Sequence, residues 1–550
     1  MKTLLVSSYI AILASIGFAQ TLTLAPSNAN GIYPLGTPVT WNVSFTDGSF
    51  SSGTYTIKKF GGTQIASGTI DLTQPNPQIT APALTEPGTL LAELKATPSG
   101  GSQLSALGGA IAERDKIRPS LARPADFDTF WASKLAALAT VPMNPVITQE
   151  DSGNAKVLYY QLEFDNYNGQ KIYAQMARPV NGPSFPAMIS MQYAGVYALP
   201  KTNVTQSAAQ GWLAINVMAH PYPYDQPAEY YHSLGGEGGA LENYTKIGNT
   251  SRDTSYFLDM FLGCVRSADY LCSRPDWNGT TLLATGDSQG GFQAIALAAL
   301  DPRVTAVITR IPAGAESAGI FAGRGHGWPY WTSTTANNAA LIKDASRYYD
   351  ITNFAPRVKV PTLVGMGLID TTCPPSGVHG MINELQGSKE VVFSPLEGHS
   401  GGTYAAYKLR RTAWIDALRV GNSAPVANQL AAPSIQVNSL SNTSILLQWT
   451  HNGAGASAYV IESSNTQGSG WQTLAEPAAG TTSYTHTGLS PGTAYYYRMR
   501  AVAPATEVPP LATTMSSASN NTMASTSTQT FEPAVPEPRL FFRLQIEQAD

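Results

Sequence analysis

The sequence predicts a multidomain protein, in which a doubly wound, mostly parallel α/β unit is flanked by two β-sandwiches. Three observations carry this expectation. The chain has 550 residues, too many for one core when domains average about 150 residues. Residues 20–110 and 431–528 alternate apolar and polar side chains over short runs broken by Gly, Pro and Ser, the pattern of half-buried strands. Residues 112–424 instead alternate near-continuous apolar runs with helical patterns, as in a parallel sheet covered on both faces.

Composition narrows the function. The 33 Lys+Arg against 37 Asp+Glu give a formal charge of −4, leaving no positive excess to neutralise phosphates, so a nucleic-acid partner is not expected. Apolar residues make up 43% and charged residues 13%, a folded composition rather than a disordered one. The 49 Gly and 38 Pro mark many turns.

Taken in order, residues 1–19 read as a signal peptide. Lys2 supplies the positive start, Leu4 to Phe18 an apolar run, and Gly17-Phe18-Ala19 the small residues before a cut after Ala19. The run is too short for a comfortable membrane span, and no later stretch reaches 18 apolar residues. A secreted or periplasmic protein without a membrane span is expected. Cys264, Cys272 and Cys373 are too few for a disulfide framework. Cys264 and Cys272 sit eight apart on one predicted helix, about 12 Å along its axis, beyond disulfide reach. Three buried free thiols are expected.

In residues 20–110, Val39, Trp41, Val43 and Phe45 fall on one face of a strand, and Thr54–Ile57 and Leu90–Leu94 form others. Their spacing suggests an immunoglobulin-like sandwich, with the Gly/Ser-rich stretch Thr97–Gly109 as linker. The middle unit places strands at 187–191, 212–217, 281–285, 306–309, 361–366 and 390–393, and helices at 255–271, 292–300 and 376–385. In the C-terminal region, Trp449 on an alternating strand and Leu489-Ser490-Pro491-Gly492-Thr493-Ala494-Tyr495 resemble a fibronectin type III module, whose tyrosine hydroxyl ties a corner to the backbone. Ser516–Thr528 reads as its last strand. Residues 529–550 form a tail in which Leu540–Leu544 could pack as a strand on a neighbouring domain or stay mobile.

The chemistry lies in the middle. Gly286-Asp287-Ser288-Gln289-Gly290 matches G-x-S-x-G, a weak signal alone, since chance supplies roughly 0.3 matches in such a chain. Its setting raises it: a strand ends just before and an Ala/Leu-rich helix starts just after, as the nucleophile elbow of an α/β-hydrolase requires. An ordinary Gly-rich turn is the competing reading. A serine hydroxyl needs a base, and the base an orienting acid, in the chain order Ser, Asp/Glu, His. Of the seven His, His451 and His486 lie in the C-terminal module, His326 lacks an intervening acid at a strand end, and His379 falls within a helix. His399 sits in the loop after strand 390–393, and Asp370 closes the strand ending Gly367-Leu368-Ile369. Ser288, Asp370 and His399 are the expected triad. Asp344 and Asp350 read as solvated charges.

At these residues the middle unit resembles the acetyl xylan esterases of carbohydrate esterase family 7, which include cephalosporin C deacetylases. The match runs through Arg123–Trp131, Ser288–Gly291, Ala298–Val304, Gly365–Pro375 and Gly398-His399. The resemblance implies deacetylation of sugars such as acetylated xylan through an acyl-enzyme, with Ser288 as nucleophile, Asp370 as orienting acid and His399 as base. The fold takes one oxyanion donor from the residue after the serine, the Gln289 N–H. The second donor lies in Gln192–Val196, a segment that departs from the family's His-Gly-Tyr pattern; alignment gives Ala194, with a neighbouring residue as the alternative. The chain departs from the family at Met218–Asp225, where Arg-Gly-Gln is expected, and at Asp287, where Gly is usual. Tyr193, His220, Trp328 and Trp331 are candidate substrate contacts, with structural hydrogen bonding competing for His220 and core packing for the tryptophans. The resemblance implies hexamers, which modules at both ends could block, so a homo-oligomer stays open. No cofactor is implied, and no His or Cys pair has metal-ligand spacing. The β modules read as spacers, with polysaccharide binding as the alternative. A prolyl-oligopeptidase-like peptidase and a non-enzymatic adhesin are the rival functions. The first lacks an acidic pair to capture an N-terminus, and a complete triad opposes the second.

Overall fold

The structure, a computed structural model, describes residues 20–28, 30–46, 50–331, 333–426, 434–450, 458–465, 472–478, 480–502 and 540–545. The expected signal peptide and the expected strand Ser516–Thr528 lie outside the described residues.

Eight strands open the chain: β1 (Thr21–Pro26), β2 (Ile32–Tyr33), β3 (Val39–Thr46), β4 (Ser52–Lys59), β5 (Thr63–Asp71), β6 (Gln78–Ala81), β7 (Gly88–Ala96) and β8 (Leu104–Ala112). They form a sheet ordered β1-β3-β6 and another ordered β2-β8-β7-β4-β5. Val39, Trp41 and Val43 of β3 face Leu90, Ala92 and Leu94 of β7 across one apolar core, so period-two alternation places one side of each strand inside. The expected linker Thr97–Gly109 is corrected here. Its second half is β8, paired along all nine residues of β7. Leu104, Ala106 and Ala110 join the core, while Gly108 and Gly109 give the segment the composition of a linker without its conformation. Residue 109 must be small because an added Cβ would lie closer than 3.0 Å to the Leu368 carbonyl.

The middle unit follows with α1 (Phe127–Ala139), β9 (Val146–Glu150), β10 (Val157–Asp165), β11 (Lys171–Pro179), β12 (Phe185–Met191), α2 (Thr202–Ala209), β13 (Leu213–Val217), α3 (Ala228–Gly235) and α4 (Tyr256–Ser273). It continues with β14 (Trp277–Asp287), α5 (Gln289–Leu300), β15 (Ala306–Arg310), α6 (Ala339–Ser346), α7 (Ile351–Phe354), β16 (Thr362–Gly367), α8 (Pro375–Glu384), β17 (Lys389–Ser394) and α9 (Ala405–Arg419). The sheet order is β17-β16-β15-β14-β12-β13-β11-β10-β9. From β17 to β13 every pairing is parallel, and β11, β10 and β9 extend the sheet antiparallel. These last three strands are missing from the sequence expectation, because Gln161, Glu163 and Gln175 interrupt their apolar runs and β9 is exposed throughout.

Alternate strand residues feed two cores. Ala187, Ile189, Leu213, Ile215, Leu282 and Ala284 pack under α4 and α5. Met188, Ala214, Leu283, Ala306 and Ile308 pack on the opposite face with Val204 of α2 and Trp414 of α9. Burial on both faces is why these strands read as apolar runs. Parallel pairing also brings the carboxyl ends of β14, β16 and β17 to one edge, where open α/β sheets bind ligands.

The C-terminal strands are β18 (Ser434–Ser441), β19 (Ser444–Thr450), β20 (Ala458–Ser464), β21 (Gln472–Ala475), β22 (Ser483–Thr487), β23 (Ala494–Val502) and β24 (Leu540–Gln545). They form sheets β18-β19-β22 and β21-β20-β23-β24. Trp449 is buried among Ile435, Leu447, Tyr459 and Tyr497. The Ser490 N–H donates to the Tyr495 hydroxyl at 3.1 Å, the tyrosine-corner bond. β24 pairs with β23 of the same module, not with a neighbouring domain.

Candidate active site

Ser288 stands between β14 and α5 with φ 54° and ψ −119°, a left-handed conformation that non-glycine residues adopt rarely and at a cost. The turn is held by the Ser288 N–H donating to the Arg310 carbonyl at 3.0 Å, and by the Ala313 N–H donating to the Ser288 carbonyl at 3.0 Å. Gly286 and Gly290 are required by space: a Cβ on the first would run into the backbone of Gly290, and one on the second into the Met191 carbonyl. The spacing G-x-S-x-G is thus the minimum that lets strand and helix approach closely enough to push the hydroxyl outward.

The Ser288 Oγ lies 2.9 Å from His399 Nε2, and His399 Nδ1 lies 2.9 Å from Asp370 Oδ2. Asp370 is 2% exposed, and its other oxygen accepts the Thr372 and Cys373 N–H groups, each at 2.8 Å. Facing Asp370 Oδ2, the ring carries its proton on Nδ1 and leaves Nε2 free to accept. The His399 loop is tied down by the Tyr404 hydroxyl donating to the Gly398 carbonyl at 2.8 Å. Glu397 accepts from the Thr403 hydroxyl and the Tyr404 N–H. Three groups predicted from separate strand ends therefore form one hydrogen-bonded relay.

Gln289 is the first residue of α5, so its N–H has no intrahelical acceptor. Ala194 is in the loop after β12. That loop is braced from below: the Gln192 carbonyl accepts Gln293 Nε2 at 2.9 Å, and Gln192 Oε1 accepts the Ala219 N–H at 2.9 Å. Tyr244 donates to Gln289 Oε1 at 2.5 Å. None of these bracing side chains carries a motif. Their signal was an amide inside an otherwise apolar segment, where burial demands a partner.

Two candidate substrate contacts instead follow their structural alternatives, a hydrogen-bonding role for His220 and core packing for Trp331. His220 is 2% exposed, with Nε2 3.0 Å from the Gly195 carbonyl and Nδ1 2.9 Å from the Tyr256 hydroxyl. Burial lowers its pKa to about 4, so it is a neutral brace behind the loop. Trp331 is buried and stacks on Phe257. Trp328 is only partly buried, edge-on to Phe257, and Tyr193 is exposed beside Ala194.

The expectation for Asp350 is also overturned. It is buried, accepts the Glu316, Ser317 and Thr352 N–H groups, and caps α7. Burial raises its pKa to about 6. Asp287, the departure at the elbow, pairs with Arg310 at 2.7 Å, and that guanidinium also lies over the Tyr404 ring. The three cysteines are free, with Cys264 and Cys373 buried, but Cys272 is only half-buried. Asp370, Cys373 and His399 place a carboxylate oxygen, a thiol sulfur and an imidazole nitrogen within 4.8 Å of one another. These are metal-ligand types, yet carboxylate and imidazole are engaged with each other, and burial beside Asp370 pushes the thiol pKa well above the ordinary range.

Comparison with known proteins adds the lineage. Residues 110–416 match the family model described as acetyl xylan esterase (AXE1), and residues 431–514 match the fibronectin type III domain. The chain is 27% identical over 285 residues to the acetyl esterase Axe7A of Xylanibacter ruminicola, covering 52% of this chain and 65% of that protein. It thus spans less than two thirds of that relative's length. Among solved structures, it is similar to an acetyl xylan esterase from a Paenibacillus species, with 26% identity, a TM-score of 0.48, and coverage of 56% of this chain and 98% of that one. It is also similar to acetyl xylan esterase 1 from a Thermoanaerobacterium species, with 21% identity, a TM-score of 0.48, and coverage of 55% and 97%. No helix among the described residues is long and apolar enough to cross a membrane.

Proposed function

The chain belongs to the acetyl xylan esterase family, and from that premise we propose that it removes acetyl groups from acetylated xylan or a related saccharide through a Ser288–His399–Asp370 triad. The observation that carries this reading is the relay itself, with both links at 2.9 Å and its serine on a strained elbow.

Ser288 Oγ attacks the ester carbonyl carbon as His399 Nε2 takes its proton. The carbonyl oxygen becomes an oxyanion, which in this reading accepts hydrogen bonds from the N–H groups of Gln289 and Ala194. Asp370 holds the ring orientation and balances the imidazolium charge without taking the proton. The tetrahedral centre collapses, the bond between the acetyl carbon and the sugar oxygen breaks, and His399 gives the proton to the departing sugar oxygen. Water then gives its proton to His399 and attacks the acetyl-serine, releasing acetate and restoring the Ser288 hydroxyl. Exposed Tyr193 and half-buried Trp328 supply faces on which a sugar ring can rest.

We read residues 20–110 as an immunoglobulin-like sandwich, 112–424 as the catalytic unit and 431–528 as the fibronectin type III-like module. Residues 1–19 are read as an export signal, consistent with a polymer substrate outside the cell.

The test compares wild type with Ser288→Ala on p-nitrophenyl acetate and on acetylated xylan, following acetate release. Loss of at least about 10⁴-fold in kcat is expected for both substrates. Equal rates would sink the esterase assignment. Cleavage of peptide substrates without acetate release would favour a peptidase.

A further inference from the structure

We propose that the N-terminal two-sheet domain is a positioning part of the catalytic site, clamping the segment Leu368–Ser376 that carries Asp370. This rests on the assignment of Asp370 as the orienting acid.

The clamp has two jaws. At one, strand β8 lies so close to Leu368 that a Cβ on Gly109 would stand closer than 3.0 Å to the Leu368 carbonyl, and a Cβ on Gly31 would meet the Leu368 side chain. Leu368 is two residues before Asp370 and is buried. At the other jaw, the β4–β5 hairpin presents the Phe60 carbonyl, which accepts the Gly325 N–H at 2.8 Å and the Ser376 hydroxyl at 3.4 Å. The Thr63 hydroxyl donates to the Gly323 carbonyl at 3.0 Å. A Cβ on Gly62 would strike the backbone of Gly323 and Arg324, so hairpin and loop meet backbone to backbone. The Arg324 guanidinium lies 4.6 Å from the centre of the Phe60 ring and is held by Glu316 at 2.6 Å.

From this loop the support passes to the acid. The Trp328 N–H donates to the Thr372 carbonyl at 2.7 Å, and Gly327 packs against Pro374. Thr372 and Cys373 supply the two N–H groups on Asp370 Oδ1. Backbone-to-backbone contacts have no rotamer with which to yield, so displacing either jaw moves the acid segment. Gly31, Phe60, Gly62 and Gly109 all precede residue 110, where the family match begins. The clamp residues therefore lie outside the segment that the family model matches.

The test uses the full chain. Gly62→Val and Gly109→Val are made alone and together with Asp370→Asn, with Ser99→Ala as a control at an exposed turn residue of the same domain. Each clamp variant should lower kcat on p-nitrophenyl acetate at least about tenfold with KM within about twofold, because a shift of ~1 Å in a catalytic group costs on the order of 10²-fold. The control should be unchanged. In the Asp370→Asn background the clamp variants should cost less than about twofold further, since residues acting through one group are non-additive. Wild-type kcat in both folded clamp variants overturns the proposal, as does an undiminished loss in the Asp370→Asn background. If the valines prevent folding, Phe60→Ala and Thr63→Val remove the ring and hydroxyl contacts without a new clash and are read in the same way. An Asp370→Asn variant with unimpaired kcat overturns the triad reading and the clamp with it, whereas an impaired Asp370→Asn beside unimpaired clamp variants overturns the clamp alone.

Discussion

The two β domains differ most in how they meet the enzyme between them. Each has two sheets over a core with a buried tryptophan, Trp41 in one and Trp449 in the other. The N-terminal domain is welded on: Gly62 and Gly109 touch enzyme backbone, the Phe60 carbonyl accepts two enzyme donors, and Ile111 is counted in the enzyme's own core. Among the described residues, the C-terminal module meets the enzyme at the exposed Arg118–Glu476 pair, 3.4 Å apart. Its Gly480, Gly488 and Gly492 have positive φ and open surroundings. The same residue type thus serves a turn in one domain and a docking contact in the other. Strand alternation reveals that a segment is a β domain; only its rim reveals whether it is coupled to its neighbour.

The sharpest way to break this contrast lies in the loop the N-terminal domain holds. Asp370→Asn should lower kcat by about 10⁴-fold, through loss of the correct tautomer, as read by steady-state kinetics on an acetate ester. A comparably large effect from any exposed substitution in the C-terminal module would erase the distinction.

Acid should also separate the regions. His220 lies in the enzyme core and is held neutral, with its pKa lowered by burial from 6.5 to about 4. The unfolded chain therefore binds the extra proton between those values. The stability contributed is full above pH 6.5 and is lost as pH falls through 4, amounting to about 3 kcal/mol. His379, in α8 beside the N-terminal domain, is lowered to about 3 by burial and acts in the same direction. Calorimetry from pH 7 to 4 should show the enzyme transition falling steeply, and His220→Gln should flatten that slope. An unchanged slope would contradict the assignment of a buried neutral ring.

Smaller effects sharpen the independence of the C-terminal module. Tyr495→Phe removes the corner bond to the Ser490 N–H and should cost that module about 1 kcal/mol, with kcat unchanged. Arg118→Ala removes an exposed pair and should change stability by less than about 0.5 kcal/mol, again with unchanged kcat. A fall in kcat from either would show coupling that the contacts do not explain.

The parts legible in the sequence are those where chemistry and chain geometry coincide. Ser288 could be read because two glycines and a strand–helix junction are needed to expose it, and Asp370 and His399 because each follows an apolar run that can only be a buried strand. Strand β8 was hidden because Gly108 and Gly109, required by close approach to Trp41 and Leu368, have linker composition. Asp350 looked solvated because nothing local reveals the three N–H donors that enclose it. For His220 and Trp331 the sequence leaves inward and outward readings open, because a ring between apolar neighbours can face core or mouth, and tertiary packing decides. Strands β9 to β11 failed the apolar-run test because one face of an edge is wet.

The most direct measurement is covalent labelling with a serine-reactive fluorophosphonate, followed by peptide mapping alongside acetate release from acetylated xylan. One label per chain is expected, on the peptide containing Ser288, with acetate release falling in proportion to labelling and no label on Ser288→Ala. Full acetate release by enzyme completely labelled at Ser288, or undiminished release by Ser288→Ala, would contradict the assignment of this serine as the nucleophile.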